Sequence, residues 1–277
     1  MKKTEFVLSD ERAVLNPVSL MGDEKGIYFT FRTELDAIAQ MLPEPLEPAF
    51  PLVSGYVVEI HKPAFASPYR EAMLGVYARY KGQIGMFPTA FLLSGSGAEM
   101  ATLGGRERFG LPKKMCESED CIRIEKNGEC MRGIAERGGV TLLDVSIKLG
   151  QYNNPGTGGI YGEPEPGKKC GGMSYYTQPV MEPDGTGFDV FKQVNLYTNI
   201  AEYTYRIWNP GEITVRLQSS ENDAWGHFPV IENMGGAYSE NDIEMKNLQL
   251  VEVLPAEKRI NKLLVTRYDR MILGQEG

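Results

Sequence analysis

Gly104-Gly105-Arg106-Glu107-Arg108-Phe109-Gly110-Leu111-Pro112-Lys113-Lys114 sets three glycines and a proline just before two adjacent lysines. Adjacent lysines are ordinarily a solvated surface pair, and Lys2-Lys3 and Lys168-Lys169 read that way. Here the glycines and the proline fix the backbone immediately ahead of the amines. That context points to an amine nucleophile. A lysine at its free pKa of about 10.4 is only about 0.04% neutral at pH 7. A second ammonium beside it, or an apolar pocket around it, disfavours the charged form. Lowering the pKa to about 6–7 raises the neutral fraction by about three orders of magnitude. Folding then suppresses a charge that the unfolded chain carries freely, so this reading expects Lys113→Met to be inactive and more stable than the parent.

Composition narrows the alternatives. The chain has 277 residues, 42% of them hydrophobic and 24% charged, as in ordinary globular proteins. No run of about 18 apolar residues exists, which excludes a transmembrane helix. Met1-Lys2-Lys3-Thr4-Glu5 leads into mixed residues without an apolar signal core, so the expected location is the cytoplasm. The net charge of −8 opposes nucleic-acid and anionic-membrane binding. Cys116, Cys121, Cys130 and Cys170 match no zinc spacing and read as reduced thiols. With only His61 and His227, a metal site built on several imidazoles is not expected. No Gly-x-Ser-x-Gly elbow supports a hydrolase. Gly95-Ser96-Gly97 fails as a dinucleotide loop, because Met100 stands where the third glycine belongs and no clear helix follows.

Working outward, residues 26–31 read as a strand ending at Arg32. Residues 33–42 read as a helix capped by Thr33, with Leu35, Ile38, Ala39 and Leu42 on one face. Pro43, Pro45 and Pro48 end it. Strands are expected at 52–60, 73–80, 86–93, 121–126, 131–136 and 141–148, with turns at Lys81-Gly82-Gln83, Asn127-Gly128 and Gly138-Gly139. Residues 150–187, rich in Gly, Pro, Asn and Tyr, read as a long loop or lid. Strands return at 190–205, 212–218 and 248–253, and a C-terminal helix is expected from residue 256, with Ile260, Leu263, Leu264 and Tyr268 on one face. Many short strands and few helices indicate a mainly antiparallel β protein, a barrel or a sandwich, in a single domain over 1–277.

The run Gly-Arg-Glu-x-x-Gly-x-Pro-Lys-Lys, Gly105 to Lys114, resembles the Schiff-base signature of the acetoacetate decarboxylase family, whose lysine is the standard example of such an activated amine. The resemblance spans roughly residues 15 to 255. It places the nucleophile at Lys113 and its neighbouring lysine at Lys114. Tyr28-Phe29-Thr30-Phe31-Arg32-Thr33 resembles the strand leading to the family's active-site arginine, which implies Arg32. Val58-Glu59-Ile60 and Pro68-Tyr69-Arg70-Glu71 imply Glu59 and Glu71 as its acidic pair, with Arg32 binding a substrate carboxylate or holding Glu59. Leu42-Pro43-Glu44-Pro45-Leu46 and Trp208-Asn209-Pro210-Gly211 are similar as well. Tyr69, Met100, Phe109 and Leu111 are candidates for an apolar wall around Lys113.

The resemblance implies a cone-like closed β-barrel or double sheet with a few peripheral helices, in a homo-oligomer. It implies decarboxylation of a small β-keto acid, acetoacetate to acetone and carbon dioxide. Lys113 attacks the ketone, and the protonated imine accepts the electrons released with carbon dioxide, so no cofactor is implied. Two alternatives remain: a lysine Schiff-base aldolase or dehydratase acting on a larger oxo acid, and a non-catalytic small-molecule-binding barrel.

Overall fold

Ile27-Tyr28-Phe29-Thr30-Phe31 carries a side chain that wants burial at nearly every position, the pattern of a strand covered on both faces. The structure, a computed structural model, describes residues 19–183, 189–257 and 259–270. In it, β1 (Ser19–Arg32) sends Ile27, Phe29 and Phe31 into one core and Tyr28 into another. The two cores fix the architecture.

Seven strands close into a barrel-like ring. From β1 the order runs through β2 (Glu47–Pro63), β3 (Tyr69–Tyr80) and β4 (Gln83–Ser94). It continues through β9 (Lys169–Pro183), β10 (Asp189–Leu217) and β11 (Glu232–Pro255), and β11 pairs back onto β1. Pairing is antiparallel except at the β4–β9 seam, where a single parallel bridge joins Met86 to Ser174. The second core fills the inside of this ring. Beyond β10 the sheet continues as a meander of β8 (Val140–Leu149), β7 (Cys130–Arg137) and β6 (Ile122–Asn127). The meander folds over the outside of the ring and buries Ile27, Phe29, Val57 and Leu74 against Met131, Leu143 and Val145. The contact is close: a Cβ at Gly133 of β7 would stand 3.0 Å from the Val57 Cβ.

The helices are short. They are α1 (Leu35–Met41), α2 (Ala98–Phe109), α3 (Thr157–Ile160) and α4 (Ile260–Leu264). Strands dominate, as expected, and the shape matches the closed, two-layered reading. Among the described residues no helix is long and apolar enough to cross a membrane.

Several local expectations change. In α1 the buried stripe is Ala37, Ile38 and Leu42, while Leu35 and Ala39 are exposed, so the helix is turned from the expected face. Thr33 does not cap it; Glu34 holds that position and the Thr33 hydroxyl is buried without a partner among the described residues. A helix, α2, does follow Gly95-Ser96-Gly97. Residues 169–183, expected as loop, form β9: the ladder with β10 outweighs their glycine content, and only 150–168 connects strands with little regular structure. The C-terminal helix is five residues long and gives way to turns. The N-terminal segment with Lys2-Lys3, residues 15–18 of the resemblance, residues 184–187 of the expected loop, and the last helical residue, Met271, lie outside the described residues.

Candidate active site

The decisive local feature is a three-residue strand. Helix α2 ends at Gly110, whose φ of 68° is left-handed and whose N–H bonds to Arg106 O. Pro112 cannot continue a helix, and the chain turns into β5 (Lys113–Met115), parallel to β4 with Phe91 opposite Lys113 and Leu92 opposite Lys114. Side chains on a strand alternate between faces. Phe91 faces the ring interior and Leu92 the outer core, so Lys113 enters the ring and Lys114 leaves it.

Inside the ring, Lys113 Nζ stands 2.7 Å from Glu71 Oε2, with Lys113 4% exposed and Glu71 1%. Tyr56 donates its hydroxyl to Glu71 Oε1 at 2.6 Å. Burial, and then the Glu71 carboxyl, holds the Tyr56 phenol well above its usual range, so it stays a donor. The rings of Phe91 and Tyr69 lie 5.3 and 5.9 Å from Nζ. A cavity of about 490 Å³ opens here, lined by Glu71 and Lys113 and by Met73, Phe109, Leu111 and Met245. Met100, 57% exposed, lines the same cavity from α2. Tyr69 packs against the amine from behind that lining, its hydroxyl buried without a partner among the described residues.

The loop ahead of Lys113 is anchored from the far end of the chain. Arg267, buried, donates to the carbonyls of Gly110, Leu111 and Thr177. Burial, then the neighbouring Arg106, lowers its guanidinium to about 9, which leaves it charged at neutral pH.

Three expected residues stand elsewhere. Lys114 meets Asp223 and Asp269 at 3.3 Å each and donates to Asn222 O, in a cluster completed by Arg137. It therefore faces carboxylates on the outer side and is not a like-charged neighbour to the Lys113 amine. Arg32 is exposed and pairs with Glu232 at 2.9 Å. Glu59 is bound by Arg70 at 3.0 Å. The β1–β2 register explains why Arg32 and Glu59 do not meet: Arg32 opposes Leu52 and Lys25 opposes Glu59, seven positions apart, or about 23 Å. Glu59 also has the wrong parity, since Val58 is the residue opposite Glu71.

Three residues were not foreseen: Tyr56, Arg267 and Glu24. Glu24 shares the inward face of β1 with Tyr28 and is fully buried. Its Oε1 accepts from Tyr28 and from Asn241 Nδ2, and its Oε2 has no partner among the described residues. Burial raises its carboxyl to about 8. Counting back by twos from Tyr28 reaches Glu24, but Asp23-Glu24-Lys25 is charged enough to pass for a turn.

Two tests follow from this geometry. A Cβ at Gly105 would stand 2.7 Å from Lys113 Cδ, whereas one at Gly104 meets nothing within 4 Å. Gly105→Ala is expected to displace the amine and reduce the yield of a borohydride-reduced ketone adduct at Lys113 at least tenfold, while Gly104→Ala leaves it intact; equal yields would place Lys113 elsewhere. The second concerns Glu24, which is hydrogen-bonded by Tyr28 and Asn241 and interacts through charge with Glu71, Asp242, Tyr56, Tyr69, Tyr203 and Tyr205. Between about pH 4.5 and 8 the folded state binds more protons at Glu24 than the unfolded chain, so its contribution to stability falls as pH rises. The full loss is on the order of 5 kcal/mol. Urea melts at about pH 5 and pH 8.5 are expected to show this slope in the parent and a flatter one in Glu24→Gln. Identical slopes would mean that Glu24 is ionised throughout.

Comparison with known proteins agrees with the fold and narrows the family. The family model for acetoacetate decarboxylase (ADC) matches residues 9–254. The CLA biosynthesis isomerase of Lactiplantibacillus plantarum is 32% identical over 260 residues, 93% of this chain and 92% of that one. Acetoacetate decarboxylase 1 of Bradyrhizobium diazoefficiens is 31% identical over 125 residues, 45% of this chain and 47% of the other. Among solved structures, acetoacetate decarboxylase from Legionella pneumophila superposes with a TM-score of 0.70 at 14% identity, covering 91% of this chain and 98% of that one. The enduracididine biosynthesis enzyme MppR complexed with pyruvate gives 0.60 at 12% identity, over 87% and 93%. The chain belongs to the acetoacetate decarboxylase family.

Proposed function

We propose that this protein is a Schiff-base enzyme that acts at the carbon next to the ketone of an oxo compound with an extended apolar body. The observation that carries this reading is the Lys113–Glu71 pair, 2.7 Å apart at the wall of an apolar cavity. The amine gives a proton to Glu71 and attacks the ketone. Glu71 returns a proton as water leaves, and the product is a protonated imine. The imine acidifies the neighbouring carbon, and Glu71, already at hydrogen-bond distance from the nitrogen, is placed to remove its proton. Tyr56 holds the other carboxyl oxygen and orients it.

In a ketone with a double bond one carbon further on, that removal gives a dienamine. Return of the proton to the far end of the diene, followed by hydrolysis, yields the conjugated ketone. One proton leaves and one returns, so the net change is an isomerisation. Two observations favour this outcome. The cavity, at about 490 Å³, suits a drug-sized molecule rather than a short keto acid. The relative matching 93% of the chain is an isomerase by name.

Decarboxylation is the second reading, supported by the family model and the lysine signature. A β-keto acid would set its carboxylate against Glu71, and binding elsewhere would have to offset that repulsion.

Borohydride reduction with a ketone is expected to leave an adduct that maps to Lys113, and Glu71→Gln is expected to lower turnover by about 10²-fold. Growth of conjugated-enone absorbance without carbon dioxide release identifies isomerisation; carbon dioxide release identifies the second reading. An adduct on Lys114, Lys168 or Lys169, or none, would overturn both.

A further inference from the structure

The cavity at Lys113 uses only part of the ring interior. A second cavity of about 550 Å³ lies beyond it and shares Tyr56, Met73, Met86, Ser174 and Tyr203 with the first. These five come from five different strands, β2, β3, β4, β9 and β10. Tyr56 opposes Met73 across β2–β3, and Met86 opposes Ser174 across the seam, so the five form a collar across the ring. Past the collar the wall gains polar groups among its apolar ones. Tyr77, Ser54, Thr30 and Tyr161 form an unbroken chain of hydroxyls, at 3.0, 2.7 and 2.9 Å. The far mouth is bordered by Lys168 and Lys169.

The dimensions translate into a ligand. Met73 is two residues along β3 from Glu71, about 7 Å, and Tyr77 is six residues along, about 20 Å. An extended chain of roughly fifteen single bonds covers the longer distance. Resting on the Schiff-base reading for its reacting end, we infer that the two cavities are one substrate channel through the ring: a long, unbranched oxo compound places its ketone at Lys113, passes its chain through the collar, and sets a polar far end among the hydroxyls of the second cavity. The collar is mostly sulfur and aromatic carbon, adaptable surface for a methylene chain. The hydroxyl chain beyond it offers partners to a polar chain end that a substrate ending at the collar would not reach.

Gly172 provides the test. It lies inward on β9 opposite Ala201, borders the second cavity, and a Cβ there meets nothing within 4 Å. Gly172→Leu should fill the channel past the collar; Gly172→Ala is a milder step that keeps the test open if leucine folds poorly. In the parent, kcat/KM over a series of unbranched ketones is expected to rise by about threefold to fourfold per methylene once the chain passes the collar, chiefly through KM. Gly172→Leu is expected to cut the long-to-short ratio of kcat/KM about tenfold. A long-chain alcohol without a ketone, titrated by calorimetry, reads the channel without imine chemistry: the parent should bind it at least tenfold more tightly than Gly172→Leu. Flat chain-length dependence, or alcohol binding that ignores Gly172, overturns the channel even if Lys113 traps ketones. Alcohol binding sensitive to Gly172 without any Lys113 adduct keeps the channel and overturns the Schiff-base reading.

Discussion

An ammonium and a carboxyl taken out of water together constrain everything around them. Neither Lys113 nor Glu71 could stay ionised in the ring interior alone, because an isolated buried charge costs far more than a domain can spare. Their pairing at 2.7 Å requires β3 and β5 to present opposite groups to one face, and β4 lies between them to set the register. The register needs α2 to stop at Gly110, and the stop is anchored by Arg267 from the other end of the chain. Gly105 lies where any side chain would strike the lysine stem. The glycines and the proline of the signature are thus the local conditions for one buried pair.

The same alternation of side chains separates the two lysines. Lys113 enters an apolar interior and Lys114 joins Asp223, Asp269 and Arg137 on the outside. Two adjacent ammonium groups on an extended backbone diverge, whereas on a turn or a helix they could have remained neighbours. The protein therefore sets the Lys113 amine against a carboxyl partner and turns the neighbouring lysine away from it. Glu24 adds a second buried carboxyl on the same inward face, raised to about 8 by burial.

Much of this was legible in the sequence where local chemistry dominates. Most strands follow from local patterning; the closed ring and an acidic residue at Glu71 were implied by the family resemblance, and the structure brings Glu71 to Lys113. What was not legible depends on parity and register over long distances. Glu59 is one residue out of phase with the inward face, and Arg32 lies at the wrong end of its ladder. Glu24 lay just beyond the expected start of β1. Residues 169–183 looked like loop because their glycines were weighed without the β10 partner that orders them. Tyr56 and Arg267 have no motif, and only the folded ring shows what they touch.

The measurement that tests this account most directly is the stability of Lys113→Met beside that of Lys113→Met/Glu71→Leu. If the pair is the central constraint, the single variant strands a buried carboxyl and loses about 3–5 kcal/mol in denaturant melts at neutral pH. The double variant, with an apolar pair of similar volume, recovers most of that loss. A lysine kept neutral by its neighbour and owing nothing to Glu71 gives the opposite sign. A Lys113→Met variant as stable as the parent, or more so, would contradict the account.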